Sequence, residues 1–181
     1  MRPIPGLVML PAALIASAPA FAVDYLTVPQ AQQLLFPEAD RFVDATVEVS
    51  EDQSKAIEAK SGVRQRWKKQ AVWRAEKTGE SIGWFIVDEV VGKHEFITYA
   101  AGLTPEGKVR GLEILVYRET YGYQIRNPQW RHVFEGKTLV DPFKLDQDIP
   151  NIAGATLSCR NVTNGVKRLL ALQQVVLSQG R

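Results

Sequence analysis

Four consecutive segments with β-strand composition constrain the fold of this chain more than any other feature of its sequence. They are rich in β-branched and aromatic residues, and turn-forming sequences separate them at Thr78-Gly79, Gly92-Lys93 and 104–107. Strands joined by such short turns pair as antiparallel neighbours. The sequence therefore predicts an antiparallel meander with strands at Val72 to Glu76, Ile82 to Val90, Glu95 to Gly102 and Val109 to Arg118.

Helices are predicted on both sides of these strands in the sequence. Thr27 as N-cap and Pro29 in the first turn mark a short helix that ends at Pro37, and its apolar face is Ala31, Leu34 and Leu35. A second helix spans Ser50 to Lys60, with acids in its first turn and Ser61-Gly62 as its stop.

The last helix follows a loop region from Tyr121 to Ile152, whose apolar anchors are Trp130, Val133 and Phe134. Helical spacing places one set of apolar residues of this last helix on a single face: Val162, Val166, Leu169, Leu170 and Val176. The predicted fold class is therefore α+β, an antiparallel β-sheet meander with flanking helices in a single domain.

The first 22 residues are predicted to be a signal peptide. Arg2 precedes an apolar run that is too short to span a bilayer comfortably, and Ala20-Phe21-Ala22 has the form of a cleavage site. Removal of residues 1–22 from 181 leaves 159, residues 23–181, which is the size of one domain. The mature protein is thus expected to be periplasmic or otherwise extracytoplasmic.

Charge and cysteine content exclude several kinds of partner. Without Arg2, 21 basic residues face 20 acidic ones, so the chain has no overall field for nucleic acid. The single cysteine, Cys159, permits no internal disulfide, and zinc-site and haem-attachment motifs are absent, so no metal is expected. The basic run from Lys60 to Lys77, with Trp67 and Trp73, is interpreted as a solvated connection between helix and strand, with docking of an acidic redox partner as the alternative.

The start of the last helix is the first candidate site. Ala153, Gly154 and Ala155 directly precede the hydroxyl of Thr156. The unpaired amides of a helix N-terminus stabilise a phosphate or carboxylate, and glycine lets the backbone approach a ligand or adopt a positive φ. The alternative is a simple capped helix in which Thr156 or Ser158 accepts those amide hydrogen bonds.

The stretch AGATLSCRNVTNGV resembles the flavinylation motif of the FMN-binding domain family, known from subunits of the sodium-translocating NADH:quinone reductase and the related Rnf complex. The resemblance implies that a flavin transferase esterifies Thr156 with the phosphate of FMN. Other residues of the motif, Gly154, Ala155, Leu157 and Ser158, are then expected to contact the cofactor. A membrane-bound redox partner is also implied.

A second block, from Arg118 to Lys137, is similar to another segment of that family. The resemblance places Glu119, Thr120 and Gly122 against the ribityl chain and ring of FMN. It is clearest over residues 93–172. Pro150 and Ala153 stand where family members usually carry an acid and a Ser or Thr, and Asp148 is the nearest available acid.

Three functions remain open on the sequence alone. The first is an exported electron carrier with covalent FMN on Thr156, which turns over no substrate of its own. The second is a module that binds FMN noncovalently, or not at all, and acts as a sensor or assembly factor. The third is a cysteine-dependent enzyme built on Cys159 and His94, although a small buried thiol and a solvated histidine are the simpler interpretations.

Overall fold

The computed structural model of the chain describes residues 23–119 and 121–180. Seven strands of this part form one sheet, in the order β1-β7-β6-β5-β4-β2, and β3 also pairs with β4. All of the pairings are antiparallel. The strands are β1 Val23–Asp24, β2 Arg41–Asp44, β3 Val47–Glu48, β4 Lys69–Lys77, β5 Glu80–Val91, β6 Phe96–Leu103 and β7 Val109–Tyr117.

Four α-helices accompany this sheet in the described residues: α1 Val28–Leu35, α2 Glu51–Ser61, α3 Pro128–His132 and α4 Thr156–Val175. Short 3-10 helices span Tyr123–Arg126 and Leu177–Gly180. The predicted α+β class, the meander β4 to β7 and the flanking helices are therefore confirmed. No helix among the described residues is both long and apolar enough to span a membrane. The predicted signal peptide, residues 1–22, lies outside the described residues.

The first two helices begin and end for the local reasons that the sequence indicates. Thr27 and Ser50 each form a capping box with a glutamine three residues later, and Gly62 ends α2 in the left-handed conformation, with φ +72°. The predicted apolar face of α1 is wrong at one residue. Leu34 does not belong to the buried face of α1, because its side chain is 58% exposed, whereas Ala31, Gln32 and Leu35 are buried.

The sheet separates two hydrophobic clusters because residues alternate between its faces along each strand. The larger cluster lies under α4 and α2 and includes Ile86 of β5 and Ile114 of β7. The smaller cluster lies under α1 and includes Phe85 of β5 and Leu115 of β7. Helix α4 is therefore the central cover of one face, and its position decides where its first residue, Thr156, stands.

A buried polar network ties α4 to the centre of the sheet. The Arg168 guanidinium donates hydrogen bonds to the carboxylate of Asp88 and to the side-chain oxygen of Gln65. The Tyr99 hydroxyl donates to the same Asp88 oxygen at 2.5 Å. The side chains of Arg168 and Asp88 are 4% and 0% exposed, so solvent screens this ion pair little.

Closer to its N-terminus, α4 is held by a second bond. The side-chain nitrogen Nδ2 of Asn161 donates to the carbonyl oxygen of Val91, at the end of β5, at 2.5 Å. Gly165 lets the helix approach the sheet here, because a Cβ at this position would overlap the Tyr99 hydroxyl. The helix is thus fixed both along its axis and in rotation.

The basic run from 60 to 77 is only partly a connection, since β4 already begins at Lys69. Its two tryptophans pack on the sheet. Trp67 donates from Nε1 to the Glu89 carbonyl oxygen at 3.2 Å, and Trp73 contacts Phe85 edge-on at 5.8 Å between ring centroids.

The Arg168→Met variant tests the importance of the buried pair. It removes the charge partner and leaves the Asp88 carboxylate buried, so we expect the free energy of unfolding to fall by about 3–5 kcal/mol in urea denaturation. Arg64→Met, an exposed substitution of the same type, should change it by less than about 0.5 kcal/mol. Equal stability of Arg168→Met and the wild type would contradict a structural role for the pair.

Candidate cofactor site

The start of α4 opens onto a cleft of about 420 Å³. We name it the Tyr121 cleft. Three parts of the chain line it: the turn between β5 and β6, the segment after β7, and the first turn of α4 with the residues before it. The lining residues are Lys93, His94, Glu119, Tyr121, Gly154, Ala155, Thr156, Leu157 and Ser158.

The first turn of α4 has no side-chain cap. Its N-cap residue is Ala155, which offers no side-chain acceptor, and no hydrogen bond of the Thr156 hydroxyl is found among the described residues. The simple capping role considered for Thr156 or Ser158 is therefore wrong. A helix without such a cap presents amide donors and a partial positive charge at its N-terminus.

A tight turn delivers the chain to this helix. The Ala155 amide donates to the Ile152 carbonyl oxygen at 2.9 Å, and Gly154 between them has φ +82°. A Cβ on Gly154 would meet nothing within 4 Å. Glycine is thus needed here for its backbone conformation rather than for space, since residues with a side chain rarely adopt this φ.

Glu119 lies in the cleft wall with its carboxylate already engaged. Its Oε1 atom accepts backbone hydrogen bonds from His94 at 2.5 Å and Glu95 at 3.0 Å. Partial burial alone would raise the pKa of Glu119, but these backbone donors outweigh it and the pKa is lowered. The carboxylate therefore stays charged and fixes the turn between β5 and β6 as one wall of the cleft.

Gly122 lies behind the cleft and holds the segment after β7 against α4. Its φ is +88°, and a Cβ there would stand 2.6 Å from the Tyr117 hydroxyl and 3.1 Å from the Cβ of Ala155. The Tyr117 hydroxyl donates to the Tyr121 carbonyl oxygen and lies 3.5 Å from the Ser158 hydroxyl. Gly122 thus acts on the site through packing.

Two large apolar side chains of the cleft are open to solvent. Tyr121 is 77% exposed and Leu157 is 43% exposed. Both line the cleft, and a flat aromatic ligand there would bury part of both.

The loop that leads into the site is stabilised by side chains of the predicted second block. Trp130 donates from Nε1 to the Pro150 carbonyl oxygen at 2.8 Å and contacts Phe134 edge-on at 5.0 Å. Lys137 pairs with Asp148 at 3.0 Å. Asp148 also accepts from the backbone of Phe143 and Lys144, so it shapes this loop and is not at the helix start.

The two residues considered for a cysteine-dependent reaction, Cys159 and His94, differ in burial. Cys159 is fully buried, and burial raises the pKa of its thiol, which disfavours the reactive thiolate. His94 is exposed on the rim of the Tyr121 cleft. Across residues 23–119 and 121–180, no three His, Cys, Asp or Glu side chains cluster as metal ligands.

Comparisons with known proteins identify the domain. The model of the FMN-binding domain family matches residues 92–171, the span that contains every lining residue of the Tyr121 cleft. Residues 92–171 are an FMN-binding domain. Its cofactor is accordingly FMN. The match confirms the family resemblance predicted over 93–172.

One of two similar solved structures supports the fold of this FMN-binding domain. A Na(+)-translocating NADH-quinone reductase component from Parabacteroides distasonis ATCC 8503 is 13% identical, with a TM-score of 0.54 and an alignment over 86% of both chains. NqrC from Shewanella oneidensis is also 13% identical, with a TM-score of 0.49 over 87% of this chain and 83% of that chain. No curated protein sequence gave a significant match.

Most of the predicted cofactor-binding residues meet in one place. Glu119, Gly154, Ala155, Thr156, Leu157 and Ser158 all line the Tyr121 cleft, whereas Gly122 supports it from behind. Thr120 lies outside the described residues. Sequence reasoning missed Lys93 and Tyr121 as lining residues. Their only signal was adjacency, to His94 and to Gly122 respectively.

Gly122→Ala should lower the free energy of unfolding more than the same change at Gly136. Both Gly122 and Gly136 have positive φ, but a Cβ on Gly136 would meet nothing within 4 Å. Gly136→Ala should therefore lower the free energy of unfolding by about 1–2 kcal/mol from backbone strain, and Gly122→Ala by about 1–3 kcal/mol more from overpacking. Urea denaturation checks the difference, and equal losses would contradict the packing role.

Glu119 should make the stability of the domain depend on pH. Its pKa is lowered in the folded state, so its contribution is fully present above its unfolded pKa of about 4.3 and is lost as pH falls through the folded value. The wild type should thus exceed Glu119→Gln in free energy of unfolding at neutral pH, and the difference should shrink on acidification below about pH 5. A difference that is constant from pH 7 to the acid limit would be inconsistent with this account.

Proposed function

We propose that this protein is an exported electron carrier whose FMN is esterified to Thr156 and which relays electrons between a membrane reductase and an acceptor. The family match gives the cofactor. The covalent bond, the location and the relay are inferences from the site and from the family. The observation that supports them best is the Thr156 hydroxyl, which has no hydrogen bond among residues 23–119 and 121–180, beside the uncapped amides of α4.

The start of α4 fits the phosphate of FMN. A phosphate diester carries one negative charge, and the amide donors of a helix N-terminus stabilise an anion by about 0.3–1 kcal/mol through the helix dipole alone. In the ester, the Thr156 oxygen would bond to phosphorus and lose its proton. A flavin transferase would present FMN as a phosphoric anhydride. The bond between the FMN phosphorus and the bridging oxygen of the anhydride would break, and the other phosphate would leave with that oxygen and the proton of Thr156.

The rest of the Tyr121 cleft fits an aromatic ring. Tyr121 and Leu157 would cover apolar surface and exclude water, and the fixed charge of Glu119 would hold the wall made by the turn at 93–95. Bound FMN supplies the redox chemistry, whereas the protein supplies position, dryness and hydrogen bonds. No acid or base from the protein is needed for such a carrier.

Covalent attachment suits a protein beyond the cytoplasmic membrane. The fraction of protein with a dissociable cofactor bound depends on the concentration of free cofactor, and an exported protein loses such a cofactor into a large volume. An ester makes retention independent of affinity. A flavin transferase is then required for maturation, and the electron donor or acceptor is a membrane-bound redox protein.

Thr156 variants test the covalent bond. The full chain is expressed with and without a flavin transferase, denatured and run on a gel under ultraviolet light. A fluorescent band should appear only with the transferase, vanish in Thr156→Ala and persist in Thr156→Ser, which keeps the hydroxyl. Flavin that is lost on denaturation of the wild type would instead favour the noncovalent module.

The same preparation tests export. Intact mass measurement of protein from the periplasmic fraction should show a chain that begins near Val23 and carries the flavin ester. Protein found only in the cytoplasm, with residues 1–22 retained, would argue against the exported carrier.

A further inference from the structure

The loop between α2 and β4 presents a row of three positively charged side chains. Exposure alternates along this loop: Arg64, Arg66 and Lys68 are exposed, whereas Gln65 is buried and Trp67 is half-buried. None of the three cations forms an ion pair with any described residue. We name Arg64, Arg66 and Lys68 the basic row.

The two intervening side chains hold the basic row in place. Gln65 donates from Nε2 to the Trp67 carbonyl oxygen at 2.8 Å, and its side-chain oxygen accepts from the buried guanidinium of Arg168. Trp67 donates from Nε1 to the Glu89 carbonyl oxygen at 3.2 Å. The cations therefore extend from a backbone that is tied to the sheet and to α4. A preorganised surface of this kind loses less conformational entropy when a partner binds.

The basic row adjoins the Tyr121 cleft. The ring of Trp67 lies 6.2 Å from the ring of Phe96 between centroids, and Phe96 is 44% exposed although it is a large apolar side chain. Phe96 directly follows the turn at 93–95, and Lys93 and His94 of that turn line the cleft. A partner that contacts the basic row and Phe96 would therefore lie beside the cofactor site.

The charges near the basic row favour a protein partner over a lipid bilayer. A cleft of about 360 Å³ between the row and α2 is also lined by Glu51, Glu58 and Lys55, and Lys55 is already paired with Asp52 at 3.7 Å. Apart from that pair, three cations stand with two acids in this cleft. Anionic bilayers attract clusters of about four to eight Lys or Arg. A protein surface can instead place its acids opposite the cations and away from Glu51 and Glu58.

We propose that the basic row and Phe96 form the docking surface for an acidic redox protein. This assignment rests on the proposed function and adds the chemistry of the partner, which places carboxylates opposite the basic row and an apolar contact on Phe96. Within the basic run from 60 to 77, docking is assigned to the row alone. The interface is small, as in transient complexes of redox proteins, and salt weakens it because the charges are exposed.

Docking is tested on the chain expressed in full without a flavin transferase, by NMR of its backbone amides. The probes are the soluble domain of cytochrome b5, which is an acidic haem protein, and cytochrome c, which is a basic one. Cytochrome b5 should shift the amides of the basic row and of residues 93–96 at low salt, and these shifts should shrink as sodium chloride is raised to about 0.5 M. Cytochrome c should leave them unmoved.

A matched pair of variants separates local charge from overall charge. Arg66→Gln with Lys68→Gln should weaken binding of cytochrome b5 about fivefold, since each exposed ion pair contributes about two- to threefold. Both side chains are exposed, so thermal unfolding should match the wild type. Lys77→Gln with Lys108→Gln removes the same charge from exposed positions at the end of β4 and just before β7. That control should leave binding nearly unchanged.

The outcomes distinguish this inference from the proposed function. Absence of shifts with cytochrome b5, or equal binding by the two double variants, would overturn the docking surface even if Thr156 is esterified. Binding only to phosphatidylglycerol vesicles, lost in Arg66→Gln with Lys68→Gln, would overturn it in favour of a membrane surface. Salt-dependent binding of cytochrome b5 that requires Arg66 and Lys68 would support it even in a chain that never acquires covalent flavin.

Discussion

The placement of Thr156 depends on the buried contact of Arg168 with Asp88. Thr156 is the first residue of a 20-residue helix, so its position follows from how that helix lies on the sheet. Apolar packing alone permits small rotations and slides of a helix, because it is not directional. Two hydrogen-bonded contacts prevent both movements. The Arg168 guanidinium donates to the Asp88 carboxylate at the sheet centre, and the Asn161 side chain donates to the Val91 carbonyl oxygen at the end of β5. The site is therefore set by contacts that lie outside it.

This network is better understood as a device for specificity than as a source of stability. Taking two charges out of water is unfavourable by several kcal/mol, and their attraction offsets this only when their remaining atoms are also bonded. Here Gln65 and Tyr99 supply such bonds, but the second oxygen of Asp88 has no partner among the described residues. Burial and the Asp88 charge also raise the pKa of Tyr99, which keeps its hydroxyl protonated as a donor. An apolar contact of equal volume would hold the helix without fixing its rotation.

The features that could be predicted from the sequence are those that depend on residues close together in the chain. The strands β4 to β7, the capping boxes at Thr27 and Ser50 and the glycine turn before Thr156 all depend on neighbouring residues, and the family motif located most of the cleft. The short strands β1 to β3 carry too few residues for a pattern. Arg168 lies 80 residues from Asp88, and Lys137 lies 11 from Asp148, so only the folded chain reveals these pairs. The place of Tyr121 in the cleft could not be predicted, because its exposure in the folded chain, and not its sequence, marks it as a lining residue.

The three long helices differ in how their first turns are satisfied, and this difference links stability to function. In helices α1 and α2, capping boxes provide side-chain acceptors for backbone amides of the first turn, whereas α4 has no side-chain acceptor at its start. An absent N-cap is typically unfavourable by about 1 kcal/mol. The longest helix can tolerate this because Arg168 and its buried apolar face hold it from the sheet side. An anion bound at its N-terminus would supply the hydrogen-bond acceptors that the side chains do not. Because such a ligand binds only the folded state, the free energy of unfolding should rise with the fraction of protein that is bound. The same first turn that weakens the free helix thus leaves its amides open to an anion in the Tyr121 cleft.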